Sequence, residues 1–250
     1  MWPFKSYSKF LEMDFRTDIH CHLLPGVDDG FKSEDKSVKA LELLHATGLE
    51  HSFLTPHIFP ELYPENTPEN IRAAYSEISD KFSAAGVETY PAGEHMIYQG
   101  IEKLFGRDSI GTCLTLPGDR ILVEMSYAYE SQNIRDFVFH LNAVGLHPVL
   151  AHPERYSYYS RSLVEIRSIV DIDTSLQLNI LSLGGFYGNT AKVKAEAILE
   201  AGLYTYLGTD LHSLAQIEQL QSLRIEKKHV AAIEKLLENN DMLWKAGAGA

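Results

Sequence analysis

The chain has 250 residues, 45% of them hydrophobic and 22% charged, with a formal net charge of −12 when histidine is counted as neutral. That composition excludes a disordered polypeptide, and the acidic balance excludes a nucleic-acid backbone as the expected partner. No segment is apolar over the length of a signal peptide or a membrane span, so a cytoplasmic protein without membrane insertion is expected.

A unit of one short apolar strand ending in polar residues, followed by an amphipathic helix, recurs along the chain. Strands are expected at 17–22, 51–57, 88–95, 121–126, 147–152, 176–181 and 204–212. After the first, Ser33 can cap a helix that turns Val38, Leu41 and Leu44 inward and stops at Gly48. After the second, Thr67 followed by Pro68 forms an N-cap and first turn, with Ile71, Ala74, Ile78 and Phe82 on one face and Gly86 at the end. Ser131 can cap a helix with Ile134, Val138 and Leu141 inward, ending at Gly145. A further helix is expected from Thr190 to Gly202, Ser213 can cap the C-terminal helical region, and residues 246–250 are expected to be disordered. Strand–helix alternation argues for a parallel sheet with crossover helices, and seven units in this length favour a closed or nearly closed barrel. One domain over 1–250 follows, with its motifs between about residues 17 and 213.

The strand ends carry the chemistry. In order they supply His20 and His22 (with Asp28 and Asp29 in the loop beyond), His57, Glu94, Glu124, His152, and finally Asp210 and His212. The polar residue follows the apolar run each time, so in a barrel these side chains meet at one mouth. Residues i and i+2 of a strand share a face, which lets His20 and His22, or Asp210 and His212, serve one centre. Imidazole and carboxylate without thiolate suit zinc, manganese or iron(II) at a reactive site. His20, His22, Asp29, His57, Glu94, Glu124, His152, Asp210 and His212 are nine groups, enough for two or three ions at roughly four to six ligands each. With three divalent ions the four carboxylates leave a surplus of about two positive charges, which matches a phosphate dianion. His45, His51, His95, His140, His147 and His229 fall on helices, strand starts or beside better candidates, and are expected to be structural. Cys21, between two strand histidines, is expected to point away from them as a buried free thiol. Tyr156, Tyr158 and Tyr159 are read as core and surface aromatics rather than a substrate groove.

The run 17–22, Thr-Asp-Ile-His-Cys-His, followed by Val27-Asp28-Asp29-Gly30, resembles the opening of the polymerase and histidinol phosphatase (PHP) superfamily. More narrowly, it resembles the bacterial manganese-dependent tyrosine-protein phosphatases of capsular and exopolysaccharide loci. Thr55-Pro56-His57, Ala92-Gly93-Glu94, Leu122-Val123-Glu124, the run 151–156 (Ala-His-Pro-Glu-Arg-Tyr) and Gly208-Thr209-Asp210-Leu211-His212 extend the likeness to about residue 212. The resemblance implies a distorted (β/α)7 TIM-like barrel holding a trinuclear centre, manganese before iron or zinc, with the nine groups above as ligands and Asp29 as the better match of its pair. It also implies that Arg155 contacts the substrate phosphate, so Arg155, Asp210 and His212 are the catalytic candidates. The implied partner is a phosphotyrosine protein such as a bacterial tyrosine kinase. Ile58, and the run Ser213-Leu214-Ala215-Gln216, stand where some members carry basic residues, which is expected to thin the cationic shell.

The expected nucleophile is a metal-bound hydroxide, since neither Cys21 nor Cys113 lies in a Cys-x5-Arg loop. A phenolate leaving group, with a conjugate-acid pKa near 10, needs little general acid, which would be a His or Asp of the site. Three alternatives differ from this reading in recognisable ways. A histidinol-phosphate-type metabolite phosphatase shares the superfamily, an amidohydrolase often carries lysine where Glu124 stands, and a non-catalytic scaffold would have lost ligands.

Overall fold

The computed structural model describes residues 6–106, 113–160 and 163–247. Its strands are β1 (Tyr7–Lys9), β2 (Thr17–Cys21), β3 (His51–Leu54), β4 (His57–Ile58), β5 (Glu88–Pro91), β6 (Glu94–Met96), β7 (Arg120–Glu124), β8 (His147–Ala151), β9 (Ser175–Asn179), β10 (Tyr206–Gly208) and β11 (Arg224–Glu226). The helices are α1 (Glu34–His45), α2 (Pro68–Ala84), α3 (Ile134–Val144), α4 (Val164–Val170), α5 (Ile180–Gly184), α6 (Asn189–Glu200), α7 (Leu214–Ser222) and α8 (Val230–Gly247). Among the described residues, no helix is long and apolar enough to cross a membrane.

The parallel strands divide into an open sheet of six, ordered β10-β9-β8-β7-β6-β4, and one of three, β2-β3-β5, rather than a single closed sheet. Two expected strands are therefore each broken in two. The first break falls at Thr55-Pro56, where proline has no N–H to donate, and the second at Ala92-Gly93. Backbone bonds still cross the breaks: Ala92 N donates to Leu54 O (2.8 Å), and Glu94 N to Pro56 O (3.0 Å). On the other side, Asp210 N donates to His20 O (2.7 Å) and His22 N to Leu211 O (3.0 Å). The fold is thus mixed α/β with the expected parallel core. β1 and β11 form an antiparallel pair outside it.

The helices follow their apolar spacing, but their caps differ from expectation. Thr67 does accept from Asn70 N at 3.2 Å, with Pro68 opening α2 and Ile71, Ile78 and Phe82 buried. Ser33 and Ser213 occupy cap positions without a side-chain cap bond. α3 starts at Ile134 after Asn133, so Ser131 does not cap it. Strand β9 ends at Asn179, where α5 begins, two residues short of expectation. Ala246 and Gly247 continue α8 rather than being disordered, and the rest of that tail lies outside the described residues.

Strand alternation sorts the core into two layers. Phe53, Leu122, Val149, Ala151 and Tyr206 meet Ile19 and α8's Leu243 in an inner cluster, while Leu54, Val123, Leu150 and Leu207 face the helices. β2 breaks strict alternation. Its register with β3 shifts between Asp18 and Cys21, so Ile19 joins the inner cluster while Cys21 packs in the outer one.

Candidate metal centre

The nine residues read from the strand ends converge. Within the described residues, four groups of potential ligand atoms each lie within 4.8 Å of one another: His22, Asp29, His57 and His212; His20, His152 and Asp210; His20, His22 and Glu94; His57, Glu94 and Glu124. Together these groups contain the nine and no other residue. His20, His22, His57 and Glu94 each belong to two groups, so the groups form one continuous cluster.

The backbone explains the convergence. Inner-facing alternation along β7 carries Leu122 and then Glu124 to the cluster. His152 follows inward Ala151 and would turn outward, but its backbone is left-handed (φ 34, ψ 53), which redirects it. Asp210 is left-handed as well (φ 53). Such conformations cost of order 1–3 kcal/mol in L residues and persist where the surroundings impose them. Two glycines let the chain close behind the histidines. A Cβ on Gly30 would lie 2.3 Å from His22 O, and one on Gly208 would lie 2.6 Å from His20 Cβ.

Three histidines have one ring nitrogen committed elsewhere. His20 Nδ1 donates to Gln177 Oε1 (3.0 Å), His22 Nδ1 to Asp28 Oδ2 (2.7 Å), and His212 Nδ1 to the Asp210 carbonyl (2.9 Å). With Nδ1 so occupied, Nε2 is the ring atom each directs at the cluster, the arrangement in which a neutral imidazole binds a cation. Their Nε2 atoms point at carboxylates: those of His20 and His22 lie 3.3 and 3.4 Å from Glu94 Oε2, and that of His212 lies 3.4 Å from Asp29 Oδ1. His57 reaches Glu124 (2.9 Å), Glu94 (3.1 Å) and Asp29 (3.3 Å), and His152 reaches Glu94 Oε1 (3.0 Å).

Electrostatics favours cations here. Burial opposes charge on His20 and His22, yet the carboxylates of Glu94 and Asp210, and of Asp28, raise their pKa values. Burial likewise opposes charge on Glu94 and Asp210, but their imidazole partners hold both below the usual carboxylate range. Glu124, buried and beside Glu94, is pushed up to about 7. His152 is pushed down to about 4 by burial and then by Arg155. Two buried atoms within the cluster, Glu94 Oε2 and His152 Nδ1, have no hydrogen-bond partner. A buried carboxylate oxygen facing three imidazoles without a hydrogen bond fits a shared cation, so this donor set could hold divalent ions.

Neither thiol belongs to the cluster. Cys21 is a buried thiol whose Sγ contacts Ser52 Oγ (3.2 Å) and the Phe53 carbonyl (3.4 Å), as its strand position predicts. Arg155 lies on the short turn Pro153–Arg155 after β8, where one guanidinium nitrogen bonds Asp210 Oδ2. Ile58 corrects an expectation: it is buried in the outer core, so the position after His57 does not face the cluster. In the run after His212, Gln216 Oε1 accepts from His212 N (2.6 Å).

Sequence reasoning missed the groups behind the ligands. Asp28 supports His22 and accepts from the backbone N of His57 (3.0 Å). Gln177 supports His20, and Asn179 Nδ2 donates to Asp210 Oδ2 (3.1 Å). Glu154 accepts from Asn179 N (3.0 Å), Ser182 Oγ (2.7 Å) and Tyr204 Oη (2.8 Å), pinning the turn that carries Arg155. The signal for Gln177 and Asn179 was present: they are the polar alternates of Ser175-Leu176-Gln177-Leu178-Asn179 on an otherwise apolar strand.

Comparison with known proteins agrees with this geometry. The chain is 26% identical over 204 residues to the tyrosine-protein phosphatase YwqE of Bacillus subtilis (strain 168), covering 79% of this chain and 77% of that protein. It is 27% identical over 209 residues to the tyrosine-protein phosphatase CpsB of Streptococcus pneumoniae, covering 79% of this chain and 83% of that one. A crystal structure from work on YwqE and CpsB, described as metal-dependent tyrosine phosphatases, superposes with a TM-score of 0.75 at 24% identity, over 92% of this chain and 94% of that one, which shows the shared fold. Residues 16–241, most of the molecule including every member of the cluster, match the family described as capsular polysaccharide synthesis, CpsB/CapC, and the chain belongs to that family.

Proposed function

We propose that this protein is a metal-dependent phosphomonoesterase that removes phosphate from phosphotyrosine in a protein, a bacterial tyrosine kinase being the natural candidate, in support of capsule or exopolysaccharide synthesis. The observation that carries this reading is the convergence of nine imidazole and carboxylate groups from six strand ends, three of the imidazoles with Nδ1 already committed. The names of YwqE and CpsB supply the substrate class.

In this reading His20, His22, Asp29, His57, Glu94, Glu124, His152, Asp210 and His212 hold two or three divalent ions, manganese first among them. Such ions supply an activated water and positive charge for the phosphoryl oxygens. The chain's own residues do the rest. Arg155 keeps one nitrogen on Asp210 and offers the remainder of its planar fork to the phosphate. Asp210, kept ionised by its imidazole partners and Arg155, and His212, whose Nδ1 is tied to the Asp210 carbonyl, steady the ligand set beside Arg155 rather than supply a proton to the leaving group. A phenolate needs little such help, since its conjugate acid has a pKa near 10. The backbone bonds across both seams of the sheets support a distorted (β/α)7 barrel as the overall design, built as one domain. The buried, unbridged thiol of Cys21 suits the reducing cytoplasm.

The test is to measure metal content and the hydrolysis of p-nitrophenyl phosphate, a phosphotyrosyl peptide and histidinol phosphate, with and without manganese and a chelator. Chelator-sensitive hydrolysis of the first two, restored by manganese, is the expected result. Hydrolysis of histidinol phosphate alone would redirect the substrate to a small metabolite, and bound metal without any phosphatase activity would overturn the reading.

A further inference from the structure

Arg155 is flanked by two phenol rings. Its guanidinium carbon lies 4.7 Å from the centroid of Tyr127 and 4.0 Å from that of Tyr187, within the range where a cation is attracted to a ring face. The rings arrive from separate places, Tyr127 from beyond β7 and Tyr187 from before α6. Both are themselves fixed. Tyr127 packs against His152 and Tyr156, with centroids 5.8 and 5.9 Å away. The Tyr187 hydroxyl accepts from Asn179 Nδ2 (3.1 Å) and Gln216 Nε2 (3.4 Å), the same two side chains that bond Asp210 Oδ2 and His212 N.

This arrangement solves a problem that the Arg155–Asp210 pair creates. Arginine and carboxylate pair best through two parallel bonds, which would consume the fork and draw Asp210 away from the cluster. Here only one nitrogen, Nη1, bonds Asp210, and among the described residues the guanidinium makes no other hydrogen bond. Tyr127 also lines a cavity of about 820 Å³, together with Met96 and Ser126, each two residues beyond a cluster carboxylate. Tyr127 thus touches both that cavity and Arg155.

We propose that Tyr127 and Tyr187 are positioning residues that hold Arg155 in its one-nitrogen contact with Asp210 and present the rest of its fork to the phosphate of the substrate. The proposal rests on reading the cluster as a phosphate-ester site. It concerns how tightly phosphate is gripped rather than how the ester is cleaved.

The experiment is calorimetric titration of the metal-loaded protein with inorganic phosphate, alongside KM and kcat for p-nitrophenyl phosphate. The variants are Tyr127→Leu, Tyr187→Leu, the corresponding Phe substitutions, and each Leu substitution in an Arg155→Ala background. Each Leu variant is expected to weaken phosphate binding about 3–10-fold and raise KM by a similar factor, with a smaller change in kcat and unaltered metal content. Phe at 127 should recover most of the loss, and Phe at 187 part of it, because the hydroxyl tie to Asn179 is gone. In the Arg155→Ala background the Leu substitutions should add nothing. Leu variants that bind phosphate like the parent, weaken it equally without Arg155, or shed metal would overturn the positioning role. Parent protein that binds phosphate through this arrangement but hydrolyses no ester would instead overturn the phosphatase reading and leave the positioning role intact.

Discussion

The two ends of the parallel strands hold different kinds of buried polar group, although single atoms without a hydrogen bond occur at both, Arg16 Nε and Thr174 Oγ1 among those at the N-terminal ends. At the N-terminal ends, α8 closes the core with matched partners. Asn240 donates to the carbonyls of Thr17 (3.0 Å) and Leu207 (2.7 Å) and accepts from Leu207 N (3.2 Å), using its whole amide. Asp241 accepts from Thr17 Oγ1 and Arg16 Nη2, both at 2.7 Å, and Trp244 stacks on His51 with centroids 4.5 Å apart. At the C-terminal ends, buried carboxylates and imidazoles crowd together, and Glu94 Oε2 and His152 Nδ1 are left without hydrogen bonds. One end is arranged for folding and the other departs from that standard for chemistry.

Substitutions at the two ends should therefore fail in different ways. The largest effect is expected from Glu94→Gln, which keeps the shape but removes the charge shared by four imidazoles. Bound metal and kcat/KM should each fall by more than about 100-fold, since even groups supporting a ligand are worth 10–100-fold; metal analysis of the purified variant checks it, and full occupancy would break the contrast. Asp28→Asn should come next, weakening metal affinity by about 10–100-fold through loss of the charged acceptor at His22 Nδ1. Competition with a chelator reads this directly.

At the other end, Asn240→Ala strands three buried backbone groups and should cost about 3 kcal/mol of stability in a denaturant titration, while metal affinity stays put. A change in metal affinity there would show that the two ends are not independent. Asp241→Ala should be milder, about 1 kcal/mol by thermal melting, because one partner, Arg16, is substantially exposed and the other, Thr17 Oγ1, keeps His51 Nδ1 at 3.4 Å.

The contrast also explains what the sequence disclosed. Eight members of the cluster were legible because each ends an apolar run and strand geometry sends such residues to one end, while Asp29, in the loop beyond β2, was singled out from Asp28 by the resemblance. Their supports were not. Asp28 and Asp29 are adjacent and chemically identical, and only the loop's path turns one beneath His22 and the other toward His57 and His212. Gln177 and Asn179 showed only as polar alternates on an apolar strand, and their uncharged type does not by itself separate a supporting amide from an ordinary strand residue. In the fold, the parallel strands were readable from local apolar runs. The β1–β11 pair was not, because it joins residues 7–9 to 224–226 and leaves no local pattern. Serine caps failed for a related reason. A serine in a cap position can satisfy itself elsewhere: the Ser213 hydroxyl turns to the Gln216 side chain (3.5 Å), and the cap at Ser33 relies on its carbonyl, which accepts from Ser37 N (3.1 Å).

The left-handed backbone at His152 and Asp210 separates selection for folding from selection for chemistry. Glycine would relieve the backbone strain at either position, but at 210 it would strip Arg155 and Asn179 of their shared acceptor, and at 152 it would leave a cavity beside Tyr127 and Tyr156. Paired melting and metal measurements on His152→Gly would show whether the two criteria diverge at that residue. A histidine and an aspartate in left-handed backbone are what a site chosen for its ligands would carry in place of the easier glycine.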